Sequence, residues 1–373
     1  MMNRPRDVDK LLIIVVGLLL LIGTVVVYSA SAMFADSRYG SDTFFFQRQL
    51  IWLGLSVAAL FIAMRVNYRA LCKLAWPLLI ISMVLLVVVL FTREINGAKR
   101  WISFGFFGFQ PSEVFKFSLI IFLAAMLAAK REKITQISSV IFPLLPVIMV
   151  GFGLILLQPN LGTVLVLASS TFILLFIAGV RKRLLAILVG GMASVSFLMV
   201  YVIGYKRARV DTYLESVSDP LLASYQVKQS ILAIGSGGLF GKGLGQGSAK
   251  LFYLPAPHTD FVFATLAEEG GFIVATLVLI LIGILVWRGV KIAIHSPDLP
   301  GFYLAIGITL VVFCQAMTNL MVATAMIPAT GLPLPFLSYG GSSMLITCAA
   351  IGILLNISRY AVETPQLFKS RIG

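Results

Sequence analysis

Asp260 is the first residue of this chain that could do chemistry. It follows Pro255-Ala256-Pro257-His258-Thr259 and stands at the mouth of an apolar run that begins Phe261-Val262-Phe263-Ala264. An ionisable side chain at the edge of such a run is a functional candidate, because burying its charge is costly. The chemistry on offer is proton transfer: a carboxylate at a membrane–water boundary can take a proton from a hydroxyl. The structural alternative is a helix N-cap, a task that suits both Asp260 and Thr259. His258 is either a proton partner or a surface residue. Glu268 and Glu269 lie about 12 Å further along the same run at ~1.5 Å per residue. They should face a bundle interior or a wet cavity.

Cations form the second group. Asn96-Gly97-Ala98-Lys99-Arg100-Trp101-Ile102 is short, basic and aromatic, and Lys206-Arg207-Ala208-Arg209 is a second cationic patch. Arg in particular suits bidentate contact with a phosphate. Each of these cations could equally be a solvated charge, and Trp101 an interfacial anchor. Glu113 and Lys116, three apart after Gln110-Pro111-Ser112, share a helix face and can pair. Gln158-Pro159-Asn160 reads as a tight turn. From Gly235 to Gly247 there are seven glycines in thirteen residues. This stretch is no P-loop, since Lys242 is followed by Gly243 and no strand precedes it. It is either a hinge, the reading preferred here, or a place where backbone N–H groups approach an anion. As a hinge it would let residues 204–259 close over a substrate and reopen, as lids do. Residues 326–343 hold three prolines and three glycines, which implies broken, re-entrant backbone buried in protein or lining a cavity.

The elements that must position these residues are membrane helices. Apolar residues make up 59% of the 373 and charged residues only 12%, half the usual share of about 25%. Apolar runs recur at about the length a helix needs to cross the hydrocarbon. The pattern predicts an all-α polytopic integral membrane protein of about ten spans, near 11–31, 47–64, 74–91, 113–129, 138–157, 161–179, 184–203, 260–287, 301–322 and 339–358, as one domain over 1–373. The first run resembles a signal peptide but is too long for one, so it reads as a retained helix. More than half of the 29 basic residues fall in the tails and in the loops at Arg65–Lys73, Lys130–Lys133, Arg181–Arg183 and Arg288–Lys291. That bias puts this side, both termini and the tail 359–373 in the cytoplasm. Residues 92–112, the long segment 204–259 and the re-entrant stretch 323–338 then face outward. Cys72, Cys314 and Cys348 show no metal or disulfide spacing.

Five ordered motifs carry a family resemblance: Gly97-Ala98-Lys99-Arg100-Trp101-Ile102, Gln110-Pro111-Ser112-Glu113, Ala233-Ile234-Gly235-Ser236-Gly237-Gly238-Leu239, His258-Thr259-Asp260-Phe261, and Leu332 through Ser342 (LPLPFLSYGGS). From the first span to about Tyr360 the chain resembles the SEDS family (shape, elongation, division and sporulation). Lys250-Leu251-Phe252-Tyr253-Leu254-Pro255 and Gly331-Leu332-Pro333-Leu334-Pro335 are similar to its FtsW-like and sporulation-type branch rather than its RodA branch. Two positions depart from the family pattern: Asn160 where Asp is expected, and Ala256 where Glu is expected. Neither position can then hold an indispensable acid or base.

The resemblance implies a peptidoglycan glycosyltransferase acting on lipid II at the outer face of the cytoplasmic membrane, in division at the septum or in sporulation. It implies Asp260 as general base, with Lys99, Arg100, Arg207 and Arg209 as the leading pyrophosphate contacts. Trp101, Lys228, His258, Ser338 and Tyr339 are further expected substrate contacts. The implied partner is a class B penicillin-binding protein, a monofunctional transpeptidase, beside other divisome proteins; nucleic acid is not an expected partner. No cofactor or metal ligand is assigned, and a divalent-cation requirement stays open. Two rival readings remain. One is a lipid II flippase or other transporter using Glu268, Glu269 and the broken backbone, although no internal repeat is visible. The other is a non-catalytic divisome scaffold.

Overall fold

The computed structural model describes residues 7–94, 98–104, 107–134, 136–202, 204, 207–218, 224–247 and 259–362. Its helices are α1 (Lys10–Tyr39), α2 (Phe44–Ala63), α3 (Tyr68–Lys73), α4 (Ala75–Val88), α5 (Pro111–Ala129), α6 (Ile137–Leu157), α7 (Leu161–Ile177), α8 (Lys182–Phe197), α9 (Arg207–Ser218), α10 (Tyr225–Ser236), α11 (Val262–Ile294), α12 (Leu299–Ala323) and α13 (Gly341–Ser358). One small antiparallel hairpin, β1 (Ile102–Phe104) and β2 (Phe107–Phe109), precedes α5. Among the described residues seven helices are long and apolar enough to cross a membrane, and three shorter apolar ones, Ala75–Phe91, Phe142–Leu157 and Leu161–Ile177, lie at the remaining expected spans.

Local sequence explains where the helices start. Asp9 caps α1 by accepting from Leu12 N at 3.0 Å, Asn160 caps α7 through Thr163 N at 3.4 Å, and Asp298 caps α12 through Gly301 N at 2.9 Å. Pro111 opens α5, where its missing N–H is no loss.

Helices α5, α12 and α13 form the interior and are largely buried, whereas α8 is mostly exposed and stands at the periphery. In lipid the hydrophobic effect does not drive helices together, so close packing and internal hydrogen bonds must do so. Gly23 of α1 illustrates this, since a Cβ there would overlap the carbonyl of Phe336. Polar ties close one end of the bundle: Arg288 donates to Asp9 Oδ2 at 2.8 Å, Arg69 to Asp298 at 2.7 Å, and Asn356 Nδ2 to the Met64 carbonyl at 2.8 Å.

Helix α11 is not continuous. Gly271 has φ 68° and ψ −171°, which breaks the helix inside its apolar run. The glycine-rich segment docks into that break. Lys242 N and Gly243 N donate to the carbonyls of Glu268 and Glu269, both at 3.0 Å, while Phe272 N and Ile273 N donate to those of Gly238 and Leu239 at 2.9 and 3.3 Å. These four freed main-chain groups thereby find the partners that membrane depth demands. A Cβ on Gly241 would overlap the Glu269 carbonyl oxygen, and one on Gly271 would overlap Gly241 N. In this structure the glycine-rich segment is seated as a plug, and Gly241 and Gly271 serve its close approach to α11.

Candidate active site

Asp260 lies in the turn that enters α11, outside the helix. Phe261 occupies the N-cap and no side chain caps this end, so the Asp260 carboxylate is not used to start α11. The Thr259 side chain hydrogen-bonds it, and the charges of Arg100 and Arg209 act on it. Burial pushes the Asp260 carboxyl above the ordinary range by penalising its charged form. The two guanidinium groups and Thr259 pull it down, and burial wins. Gly331, in the left-handed region at φ 78°, borders the carboxylate: a Cβ there would stand 3.6 Å from Oδ2.

Distant parts of the chain hold the two arginines there. Arg100, next to the β1–β2 hairpin, donates through Nε to the Gln158 carbonyl at 2.9 Å and also bonds the Pro159 carbonyl. Gln158 in turn donates to the Leu86 carbonyl at 3.0 Å, which anchors that turn to α4. Arg209 of α9 reaches the Ala329 carbonyl at 3.2 Å. A cavity of about 230 Å³ opens beside it, lined by Arg209, Thr212, Tyr213, Gln226, Pro328 and Ala329 among others.

The wall opposite Asp260 is non-helical chain at 324–340, as the prolines and glycines imply. A buried polar network holds it. Glu113 and Lys116 of α5, each 1% exposed, pair at 2.8 Å. Lys116 Nζ donates to Gln315 Oε1 at 2.5 Å, and Gln315 Nε2 to the Pro333 carbonyl at 2.9 Å. One turn along α12, Asn319 Nδ2 donates to the carbonyls of Leu332 and Asp260 at 2.7 and 2.8 Å. A buried ion pair is tolerable only with such further hydrogen bonds. Sequence reading singles out neither Gln315 nor Asn319. The available signal is two amides spaced by four on one face of an apolar span.

The other expected site residues are distributed as follows. Lys99 is half-buried beside Arg100. The Trp101 ring covers Gly108 of the hairpin. Arg207 pairs with Asp211 on α9 at 3.3 Å and points past the Tyr201 ring. Lys228 is half-buried on α10. Ser338 is engaged with its own turn, accepting from Leu334 N at 2.8 Å. Tyr339 hydrogen-bonds Arg48 and packs edge-on against Phe45, at a centroid separation of 5.4 Å. His258 lies outside the described residues. The intramembrane carboxylates both secure the break in α11: Glu268 pairs with Lys242 at 2.7 Å, and Glu269 accepts from Ser29 Oγ of α1 at 2.6 Å.

Fold and site together define a polytopic membrane protein with a half-buried carboxylate under the charge of two arginines at one end of its helices. The family model described as Cell cycle protein, that of FtsW, RodA and SpoVE, matches residues 9–363. The chain is 43% identical to stage V sporulation protein E of Bacillus subtilis, covering 97% of this chain and 100% of that one. It is 41% identical to the probable peptidoglycan glycosyltransferase FtsW of Trichlorobacter lovleyi, over 95% and 94% of the two chains. Among solved structures it resembles the rod shape determining protein RodA of Thermus thermophilus, with TM-score 0.69, 31% identity and coverage of 96% and 98%. It also resembles a chain from a peptidoglycan synthase complex described for coordinating polymerization and crosslinking, with TM-score 0.77, 31% identity and coverage of 96% and 99%. This chain belongs to the FtsW/RodA/SpoVE family, the SEDS proteins.

Proposed function

We propose that this protein is a peptidoglycan glycosyltransferase that polymerises lipid II, with Asp260 as its general base. The observation that carries this reading is the half-buried Asp260 carboxylate under the charges of Arg100 and Arg209, in a chain whose relatives include probable peptidoglycan glycosyltransferases. The acceptor sugar hydroxyl attacks the anomeric carbon of the lipid-linked donor. Its proton passes to Asp260, the bond from that carbon to the pyrophosphate oxygen breaks, and undecaprenyl pyrophosphate leaves. Base catalysis of this kind is worth about 10²–10⁴ in rate. Arg100 and Arg209 are the cations best placed to receive the leaving charge; Lys99 stands next to Arg100. Arg207 has a carboxylate partner of its own.

The reaction belongs at the outer face of the cytoplasmic membrane, beside a class B penicillin-binding protein that cross-links the product, in septal or sporulation-associated synthesis. The flippase reading loses its main support, since Glu268 and Glu269 are engaged at the plugged break rather than lining a path. The scaffold reading gives no reason for a half-buried carboxylate under the charges of two arginines.

The test is an assay of purified protein with its transpeptidase partner and lipid II. Wild type should yield glycan strands, while Asp260→Asn and Asp260→Ala fold but yield none. Polymerisation by Asp260→Ala near the wild-type rate would remove the base assignment. Movement of labelled lipid between leaflets without product would favour the flippase, and neither activity the scaffold.

A further inference from the structure

We infer that Asn319 is the positioning residue of the Asp260 site, a single amide that sets the distance between the base and the wall it faces. The inference rests on the reading of Asp260 as the base. Asn319 is 1% exposed, in the last two turns of α12. Its Nδ2 donates to two main-chain carbonyls, Asp260 at 2.8 Å and Leu332 at 2.7 Å. Both partners are acceptors only, so the nitrogen and not the oxygen must face them. The amide is thus oriented by its partners, and its carbonyl oxygen has no donor among the described residues.

Neither acceptor is held by a helix ladder. The carbonyl of Phe261 is the one that accepts from Ala264 N at the start of α11, and residue 332 lies in non-helical chain. A buried carbonyl left without a donor is costly, so both turns depend on the same side chain. Leu332 adjoins Gly331, the residue that borders the Asp260 carboxylate. Asn319 therefore ties the main chain of the base to the wall opposite its carboxylate, across the mouth of the site. A base must hold its oxygen within hydrogen-bond reach of the acceptor hydroxyl, and a displacement near 1 Å can lower the rate on the order of 100-fold.

The neighbouring amide supplies an internal control. Gln315, one turn away on the same face, holds the Pro333 carbonyl and Lys116 but does not touch Asp260. If the two amides merely anchor the broken segment, their loss should have equal consequences. If Asn319 positions Asp260, only its loss should strike the chemical step.

The experiment compares Asn319→Leu with Gln315→Leu in the purified complex, by steady-state polymerisation against lipid II concentration and by thermal unfolding. Asn319→Leu should lower kcat by about 10- to 100-fold and leave KM within about twofold. Gln315→Leu, although destabilised at least as much, should keep kcat within about threefold. Should Asn319→Leu not fold, Asn319→Asp carries the test, since it keeps the volume and replaces the donor by an acceptor. Wild-type kcat in the Asn319 variant, or an equal loss of kcat in Gln315→Leu, overturns the inference. The base reading fails separately: an active Asp260→Ala removes it, whereas an inactive Asp260→Ala with a fully active Asn319 variant removes only the positioning role.

Discussion

At the scale of single residues, the Asp260 carboxyl is governed by opposed influences that can be varied one at a time. Burial raises its pKa, and the charges of Arg100 and Arg209 lower it. A general base works only when ionised, so kcat/KM should fall as the pH drops through this raised pKa, above the roughly 3.9 of a free aspartate. Arg209→Gln removes one of the charges that favour ionisation. The pKa then rises further, and the acid limb of the pH–rate profile should move to higher pH. Arg207→Gln, two residues away but paired with Asp211, should leave the limb in place. Equal limbs in the two variants would show that Arg209 does not act on the base. Arg100 differs again, because its fork also bonds the carbonyls of the 158–159 turn. Arg100→Lys keeps the charge and loses the fork, and kcat/KM in the lipid II assay should fall by about tenfold or more. These three ionisable groups are legible in the sequence because charge is rare in so apolar a chain. Asn319 is not, because an uncharged amide within an apolar span leaves only a faint signal.

At the scale of elements, the plug at the break in α11 depends on glycines whose neighbours differ. A Cβ on Gly241 would meet the Glu269 carbonyl, and its φ of 78° is unfavourable for any L side chain, whereas Gly235, inside α10, has open space around it. Gly241→Ala should therefore cost on the order of 2–4 kcal/mol. Gly235→Ala should be neutral or slightly stabilising. Thermal unfolding of the detergent-solubilised protein separates them, and matching midpoints would mean that the plug is slack after all. Most of the helices were legible as apolar runs of spanning length, and residues 324–340 as broken chain from Pro328, Pro333 and Pro335. The break at Gly271 was not. The run from Val262 to Trp287 contains no proline, and an isolated glycine pair is common inside membrane helices. What opens α11 is pairing with residues 238–243, about thirty positions upstream, and hydropathy does not record such pairing.

At the scale of the whole molecule, the two ends of the bundle differ in kind, and this sets a prediction about sidedness. Asp260 stands before the first turn of α11 and Arg288 lies near its far end, beyond the break at Gly271. Around Arg288 gather Asp9 and, at the adjoining helix ends, Arg69 with Asp298. Around Asp260 gather Arg100 and Arg209. Helix α7 starts at the turn that Arg100 holds and runs away from it, so the Arg181–Arg183 loop belongs to the Arg288 end. Our proposal, by the positive-inside rule, is that this end is cytoplasmic and the Asp260 end outside, where a donor delivered to the outer leaflet can reach it. Cysteine labelling in whole cells tests the assignment. Cys314 and Cys348 are buried, and Cys72 is half-buried at the Arg288 end; in a Cys72→Ser background, Glu94→Cys and Lys182→Cys report the two ends, both positions being exposed. A membrane-impermeant maleimide should label Glu94→Cys in intact cells and Lys182→Cys only after permeabilisation. The reverse pattern would put Asp260 in the cytoplasm, out of reach of an acceptor strand in the wall, and the polymerase reading would not survive it.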